Sequence, residues 1–325
     1  MRRRNLLAGA LAAPLAVSLR AFAQPAEGRH RIGVLIPGTP DGPTNVPTFI
    51  DGLRELGYEE GRNLVIERRY AGASEEKLLE LARELVRSGV ELIVAAGPSA
   101  TRAARAATST VPIVMGTHDP VEQGLIASLS RPGGNVTGWC ILSVDSAQKQ
   151  LAILKEAIPK LARVAVLSNP NMAAHMVRSA HLREAARDVA LELTAYEVPG
   201  EETIATAFAG MRREGIQAFF VVPDPQLDAL RKQLVEHAAQ ARVPGMYSWR
   251  LYVTAGGLMS YGPSLPQMIR RWAFYVDKIL KGARPGDLPV ETPRKYELVL
   301  NQRAARALNF TFPGPLLLAA DEVVT

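Results

Sequence analysis

The chain has 325 residues, 47% of them apolar and 22% charged, a balance ordinary for a globular protein of about two compact domains. Its formal charge of +6 falls to +2 once residues 1–23, which hold four arginines and no acid, are set aside. The near-neutral remainder excludes a nucleic-acid footprint, and a single cysteine, Cys140, excludes an internal disulfide.

Residues 1–23 read as a cleaved export signal. Arg2, Arg3 and Arg4 form a basic start, the apolar run from Leu6 to Leu19 is too short to span a bilayer, and Ala21-Phe22-Ala23 offers a small-x-small cleavage site. The run Arg3-Arg4-Asn5-Leu6-Leu7 also resembles a twin-arginine signal. Gln24 is the expected first mature residue. With no cysteine there to take a lipid, a free protein in the periplasm is expected.

From residue 31 short apolar runs alternate with helix-period segments. Strands are predicted at 32–36, 64–67, 92–96 and 112–115, with helices at 49–56, 75–89 and 99–107 between them. The second of these helices places Leu78, Leu81, Ala82 and Leu85 on one face and stops at Gly89. NVTGWCIL (135–142) reads as an extended crossing in which Cys140 is a buried, inert thiol. A helix at 147–157 then opens a second series, with strands at 164–168, 193–198 and 218–222 and helices at 175–190, 203–213 and 226–242. A Gly-rich extended run at 256–263, a helix at 265–281, the strand-like KYELVLN and a short helix from Gln302 complete the chain. The expected fold class is α/β, with two doubly wound parallel-sheet lobes around a central cleft. Residues 31–139 plus 260–285 are assigned to the first lobe and 140–259 plus 286–325 to the second.

Ligands of parallel α/β sheets bind beyond the carboxyl ends of the strands. Those ends carry IPGTP (36–40), AAGPSA (95–100), MGTHDP (115–120), SNPN (168–171) and VVPDP (221–225). Ser99 and Thr101 open a helix, where hydroxyls and free backbone N–H groups suit a carboxylate; plain N-capping by Ser99 is the simpler role. Asp119 and Asp224 are placed to hold an ammonium group, or to cap the turns beside Pro120 and Pro225. Of Trp139, Tyr247, Trp249, Tyr252 and Tyr261, only Tyr247 and Tyr261 are expected to line the cleft, the others being core. Histidines 30, 118, 175, 181 and 237 lack metal-ligand spacing, no G-x-S-x-G elbow is present, and neither G-x-G-x-x-G nor a Walker A motif occurs. No metal or cofactor is therefore expected.

FIDGLRELGYEEGRNLVIE (49–67), ATSTVPIVMGTHDPVEQGLIASLSRPGGNVTG (107–138), AGGLMSYGPS (255–264) and AFYVDKILKGARPGDLPVE (273–291) resemble a bacterial family of ABC-transporter substrate-binding proteins, the group that includes tryptophan- and tyrosine-associated transport proteins. The resemblance implies a type I periplasmic-binding fold: two lobes joined by three crossings, closing on a small amino-acid-like solute and delivering it to a membrane permease. Carried over by strand position, the ligand cage would be Gly38 and Thr39, then Gly97, Pro98 and Ser99, then Thr117 and Asp119. The second lobe would add Asn169, Asp224 and Tyr247, with Tyr261 near the last crossing. A monomer is expected. Two other readings stay open: a ligand-binding sensory domain for a membrane receptor, and an enzyme using His118 and Asp119.

Overall fold

Strands covered by helices on both faces need continuous apolar runs rather than alternation, and the Val/Ile/Leu-rich segments of this chain supply them. A computed structural model describes residues 29–40, 46–72, 74–170 and 174–325. The expected export signal lies outside those residues, as does Asn171 of the SNPN tip.

The first sheet contains β1 (His30–Ile36), β2 (Leu64–Tyr70), β3 (Leu92–Ala96), β4 (Ile113–His118) and β5 (Val136–Ile141). They are ordered β2-β1-β3-β4-β5, all parallel. The intervening helices are α1 (Val46–Glu55), α2 (Glu75–Arg87) and α3 (Gly97–Ala107). The start of α2 is fixed by Ser74, whose side chain accepts from the Lys77 N–H.

After α4 (Ser143–Ala157) the second series runs through β6 (Arg163–Ser168), α5 (Ala174–Asp188), β7 (Glu192–Glu197), α6 (Ile204–Arg213) and β8 (Ala218–Val221). It continues with α7 (Pro225–Ala229), α8 (Arg231–Ala241), β9 (Gly245–Tyr247), α9 (Arg250–Thr254) and β10 (Met259–Pro263). α10 (Leu265–Leu280) returns to pack on α1, where Gly52 lets Ala273 approach closely. The tail adds β11 (Tyr296–Asn301), α11 (Gln302–Ala307), α12 (Gly314–Ala319) and β12 (Glu322–Val324). The second sheet is ordered β12-β11-β10-β9-β8-β6-β7 and is parallel except where β11 meets β10.

The helix expected over 226–242 is two helices that meet at Leu230; the first is capped by Asp224 and the second ends at Arg242 in the left-handed region. The expected lobe boundaries also move. Residues 139/140 fall inside β5 of the first sheet and 259/260 inside β10 of the second. The segment after residue 285 stays with the first sheet: Thr137 Oγ1 donates to the Leu288 carbonyl at 2.8 Å and the Cys140 N–H to the Glu291 carbonyl at 2.9 Å. The chain thus crosses between the sheets three times, after β5, after β10 and between Glu291 and β11.

In each sheet the strand order reverses beside a central strand, between β1 and β3 in the first and between β6 and β8 in the second. Loops leaving such neighbours diverge and open a crevice at their carboxyl ends. The two crevices face each other and enclose a cavity.

Candidate ligand-binding site

The cavity, of about 140 Å³, is lined from both lobes. Pro37, Ala96, Gly97 and Pro98 come from the first crevice and Asn169, Val222, Pro223, Asp224 and Pro225 from the second. Carbon dominates the rest of the wall, through Val34, Ile36, Phe49, Leu251, Leu265 and Ile269, together with all three tryptophans of the chain, Trp139, Trp249 and Trp272.

These rings form a connected set. Trp139 on β5 stacks on Trp272 of α10 with centroids 5.7 Å apart, and Trp272 meets the edge of Phe49 at 6.1 Å. The indoles fold across Gly116, the residue paired with Trp139 on β4. A Cβ there would lie 2.5 Å from Trp139 Cζ2 and 2.6 Å from Trp272 Cζ2, so only glycine leaves the rings their seat. From the other lobe Trp249 approaches His118, ring centroids 6.5 Å apart. The Nε1 atoms of all three tryptophans are buried and have no hydrogen-bond partner among the described residues. Each orphaned donor costs about 1–3 kcal/mol.

Side-chain alternation along β4 decides which of its residues reach the cavity. Gly116 and His118 line it, whereas Thr117, 1% exposed, points to the opposite face. Asp119 follows with a positive φ of 44° and turns away from the wall. Its carboxylate lies 4.0 Å from Nδ1 of His181 on α5, while His181 Nε2 sits 3.0 Å from Glu122. His118 and Asp119 therefore serve different places and do not converge as a catalytic pair.

The remaining expectations divide similarly. Gly97, Pro98, Asn169 and Asp224 are brought together at the cavity. Gly38 and Thr39 are not: the Gly38 carbonyl accepts from the Gly72 N–H after β2, which draws this loop to the sheet edge and leaves Thr39 exposed. Ser99 is neither a wall residue nor the cap of α3; the cap position is Ala96, and Ser99 Oγ accepts from Arg102 Nη2 at 3.4 Å. Thr101 Oγ1 donates to the Gly97 carbonyl at 2.8 Å. Gly97 itself has a φ of 85°, which turns β3 directly into α3.

Tyr247 and Tyr261 also lie off the cavity. Tyr247 is core, stacked on Tyr252 at 4.5 Å and edge-on to Phe219 at 5.6 Å, and burial pushes its hydroxyl far above the usual tyrosine range. Tyr261 stacks on Tyr296 at 5.6 Å across the β10–β11 pair. The aromatic wall is instead built from the tryptophans: Trp139 and Trp249 are core, as the sequence suggested, and also line the cavity, joined by Trp272, which the sequence did not single out. The stripe Leu265, Ile269 and Trp272 on α10 was the available signal, since these helical positions share one face.

Asp224 does two jobs. Its Oδ1 accepts from the Gln226 and Leu227 N–H groups at 2.8 and 3.0 Å, capping α7, while the side chain lines the cavity. Asn169 Nδ2 donates to Gln226 Oε1 at 2.8 Å, so the two second-lobe tips brace each other. Asp228, one turn on, also lines the wall. Burial raises the Tyr252 hydroxyl well above the tyrosine range, and the Asp228 carboxylate beside it adds to the shift. No Lys or Arg is among the described lining residues, and no group of three His, Cys, Asp or Glu among the described residues is placed to hold a metal.

Contacts cross the cleft at several points. Gly97 faces Pro225, a Cβ at Gly97 lying 3.8 Å from Pro225 Cγ. His118 meets Trp249, and His181 meets Glu122. The lobes are closed on the cavity.

Comparison with known proteins matches this architecture. A tyrosine-binding protein of Clostridioides difficile (strain R20291) is 27% identical over 263 residues, 80% of this chain and 75% of that protein. The crystal structure of a Streptococcus pneumonia ABC domain in complex with L-Trp superposes with a TM-score of 0.83 at 25% identity, covering 91% of this chain and all of that one. A ligand-free, open substrate-binding protein from Clostridium difficile covers 91% of this chain and 99% of that chain at 23% identity, but its TM-score is only 0.64. The sequence profile of the ABC transporter substrate binding protein family matches residues 40–324. With its two doubly wound lobes and the cavity between them, the chain belongs to the ABC transporter substrate binding protein family.

Proposed function

We propose that this chain is the capture component of an ABC importer: it closes its two lobes on a small amine-bearing, amino-acid-like solute in the periplasm and presents the closed form to a membrane permease. The observation that carries the reading is the cavity at the carboxyl ends of both sheets, lined from both lobes and bridged by the His118–Trp249 and His181–Glu122 contacts. A solute touching both lobes stabilises the closed form over the open one and shifts the population.

The named ligands of two relatives, tyrosine and L-Trp, support an amino-acid-like solute with a ring. The tryptophan-rich wall suits such a ring and Asp224 an ammonium group. Micromolar capture requires about −8 kcal/mol. One buried ring contributes roughly 4–5 kcal/mol at the usual area coefficient, and a charge-assisted hydrogen bond about 1.5–3 kcal/mol. Together these supply about 5.5–8 kcal/mol, so the further contacts made as the lobes close must offset the ordering costs. No bond of the solute is made or broken in this scheme, and a monomer suffices for it.

Native mass spectrometry of freshly purified mature chain tests the proposal. A non-covalent small molecule is expected that denaturation releases chemically intact. Conversion of that molecule during incubation with fresh protein would refute the receptor role.

A further inference from the structure

The cavity wall has an unusual composition that the capture role alone does not explain. Trp139, Trp249 and Trp272 each present a ring to the cavity, yet each has an Nε1 atom that is buried and unpartnered among the described residues. A solute therefore meets ring carbons rather than indole N–H donors. Phenylalanine would give an equally apolar wall without an orphaned donor. What indole adds is the most electron-rich face of any side chain, the best partner for a cation. The charged side chains lining the same wall are Asp224 and Asp228, and neither Lys nor Arg is among the described lining residues.

We propose that the solute is a cation: a substituted ammonium group, primary to quaternary, on an apolar or aromatic body, held against the indole faces with Asp224 and Asp228 on the same wall. This rests on the capture role proposed above and names its substrate class. A carboxylate, where the solute carries one, is not met by the two hydroxyls expected to hold it. The hydroxyls expected to hold one line no part of the cavity: Ser99 Oγ accepts from Arg102, and Thr101 Oγ1 donates to the Gly97 carbonyl. Rings come from both lobes, Trp139 and Trp272 from the first and Trp249 from the second, so closure brings the cation between them.

The test is a titration of the mature chain by calorimetry with four probes: tryptamine, L-tryptophan, indole-3-acetate and phenyltrimethylammonium. Tryptamine is expected to bind at least about tenfold more tightly than L-tryptophan, and indole-3-acetate not to bind. Phenyltrimethylammonium, which cannot donate a hydrogen bond from its charged group, is expected to bind through ring faces and charge. Trp249→Leu should weaken the quaternary ion about tenfold, and Trp249→Phe, which keeps a ring and protects the fold, should weaken it less. Equal or tighter binding of L-tryptophan, binding of indole-3-acetate, or silence toward both cations overturns the proposal. If a neutral or anionic solute closes the lobes in solution scattering while the cations fail, the substrate class falls and the capture role stands. If no solute closes them, the capture role falls as well.

Discussion

Gly116→Ala changes the cavity by a single methyl group. The new Cβ would sit 2.5 Å from Trp139 Cζ2, 2.6 Å from Trp272 Cζ2 and 2.8 Å from Trp139 Cε2, all well inside contact distance. The backbone cannot yield easily, because Gly116 is held in register with Ala96 of β3 and Trp139 of β5. The rings must move instead, and Trp272 is already packed against Phe49. Overpacking of this kind costs about 1–3 kcal/mol. At roughly 2 °C per kcal/mol for a chain of this size, the unfolding midpoint should fall by about 2–6 °C. The displaced indoles enter the cavity, so affinity for a bound solute should fall by about tenfold or more, beyond what the lost stability explains. Circular dichroism melting and a calorimetric titration measure the two effects. A variant with both the parental midpoint and the parental affinity would refute the claim that Gly116 seats the tryptophan wall.

Intrinsic fluorescence should report ligand binding without any label, because every tryptophan of the chain lines the cavity; a saturating solute that left the emission unchanged would contradict this placement. Asp224→Asn keeps an acceptor for the α7 cap and removes the charge, so affinity should fall while the melting midpoint holds; Asp224→Ala should also lose about 1 kcal/mol of stability with the cap. His181→Ala removes the link between α5 and Glu122 across the cleft, and since Glu122 is half exposed the closed population should drop only roughly two- to fivefold, read as a weaker apparent affinity with unchanged folding. The Cys140 thiol is pushed up to about 12, by burial first and then by the Asp119 carboxylate, so the unreactive thiol dominates at every pH below that value. Iodoacetamide at pH 8 should leave the native protein unlabelled and modify it fully in urea.

The α/β alternation was legible because each strand is a compact apolar run and each helix repeats on one face, and the strand tips followed from it. Gly97, Pro98, Asn169 and Asp224 line the cavity because position at a strand's carboxyl end is nearly sufficient to reach the crevice. Thr117 and Asp119 were misplaced by facts one residue wide: alternation turns Thr117 to the far face, and a left-handed φ carries Asp119 toward His181. The place of the tryptophans on the wall was obscured because all three are core residues as well. Trp139 stands in a buried strand and Trp272 in a helix, and only the missing side chain at Gly116 lets both indoles extend to the cavity. Tyr247 was drawn the other way by the nearby Tyr252 and by Phe219, the latter a partner on another strand that local sequence does not announce. The short elements β9, α9, α12 and β12 offered too few residues for any period to show.

Small-angle scattering of residues 24–325, with and without a saturating solute, is the most direct trial of lobe closure. The account predicts a smaller radius of gyration in the bound state, with a profile that matches the closed arrangement of the two lobes. Superimposable profiles for the free and saturated protein would contradict it.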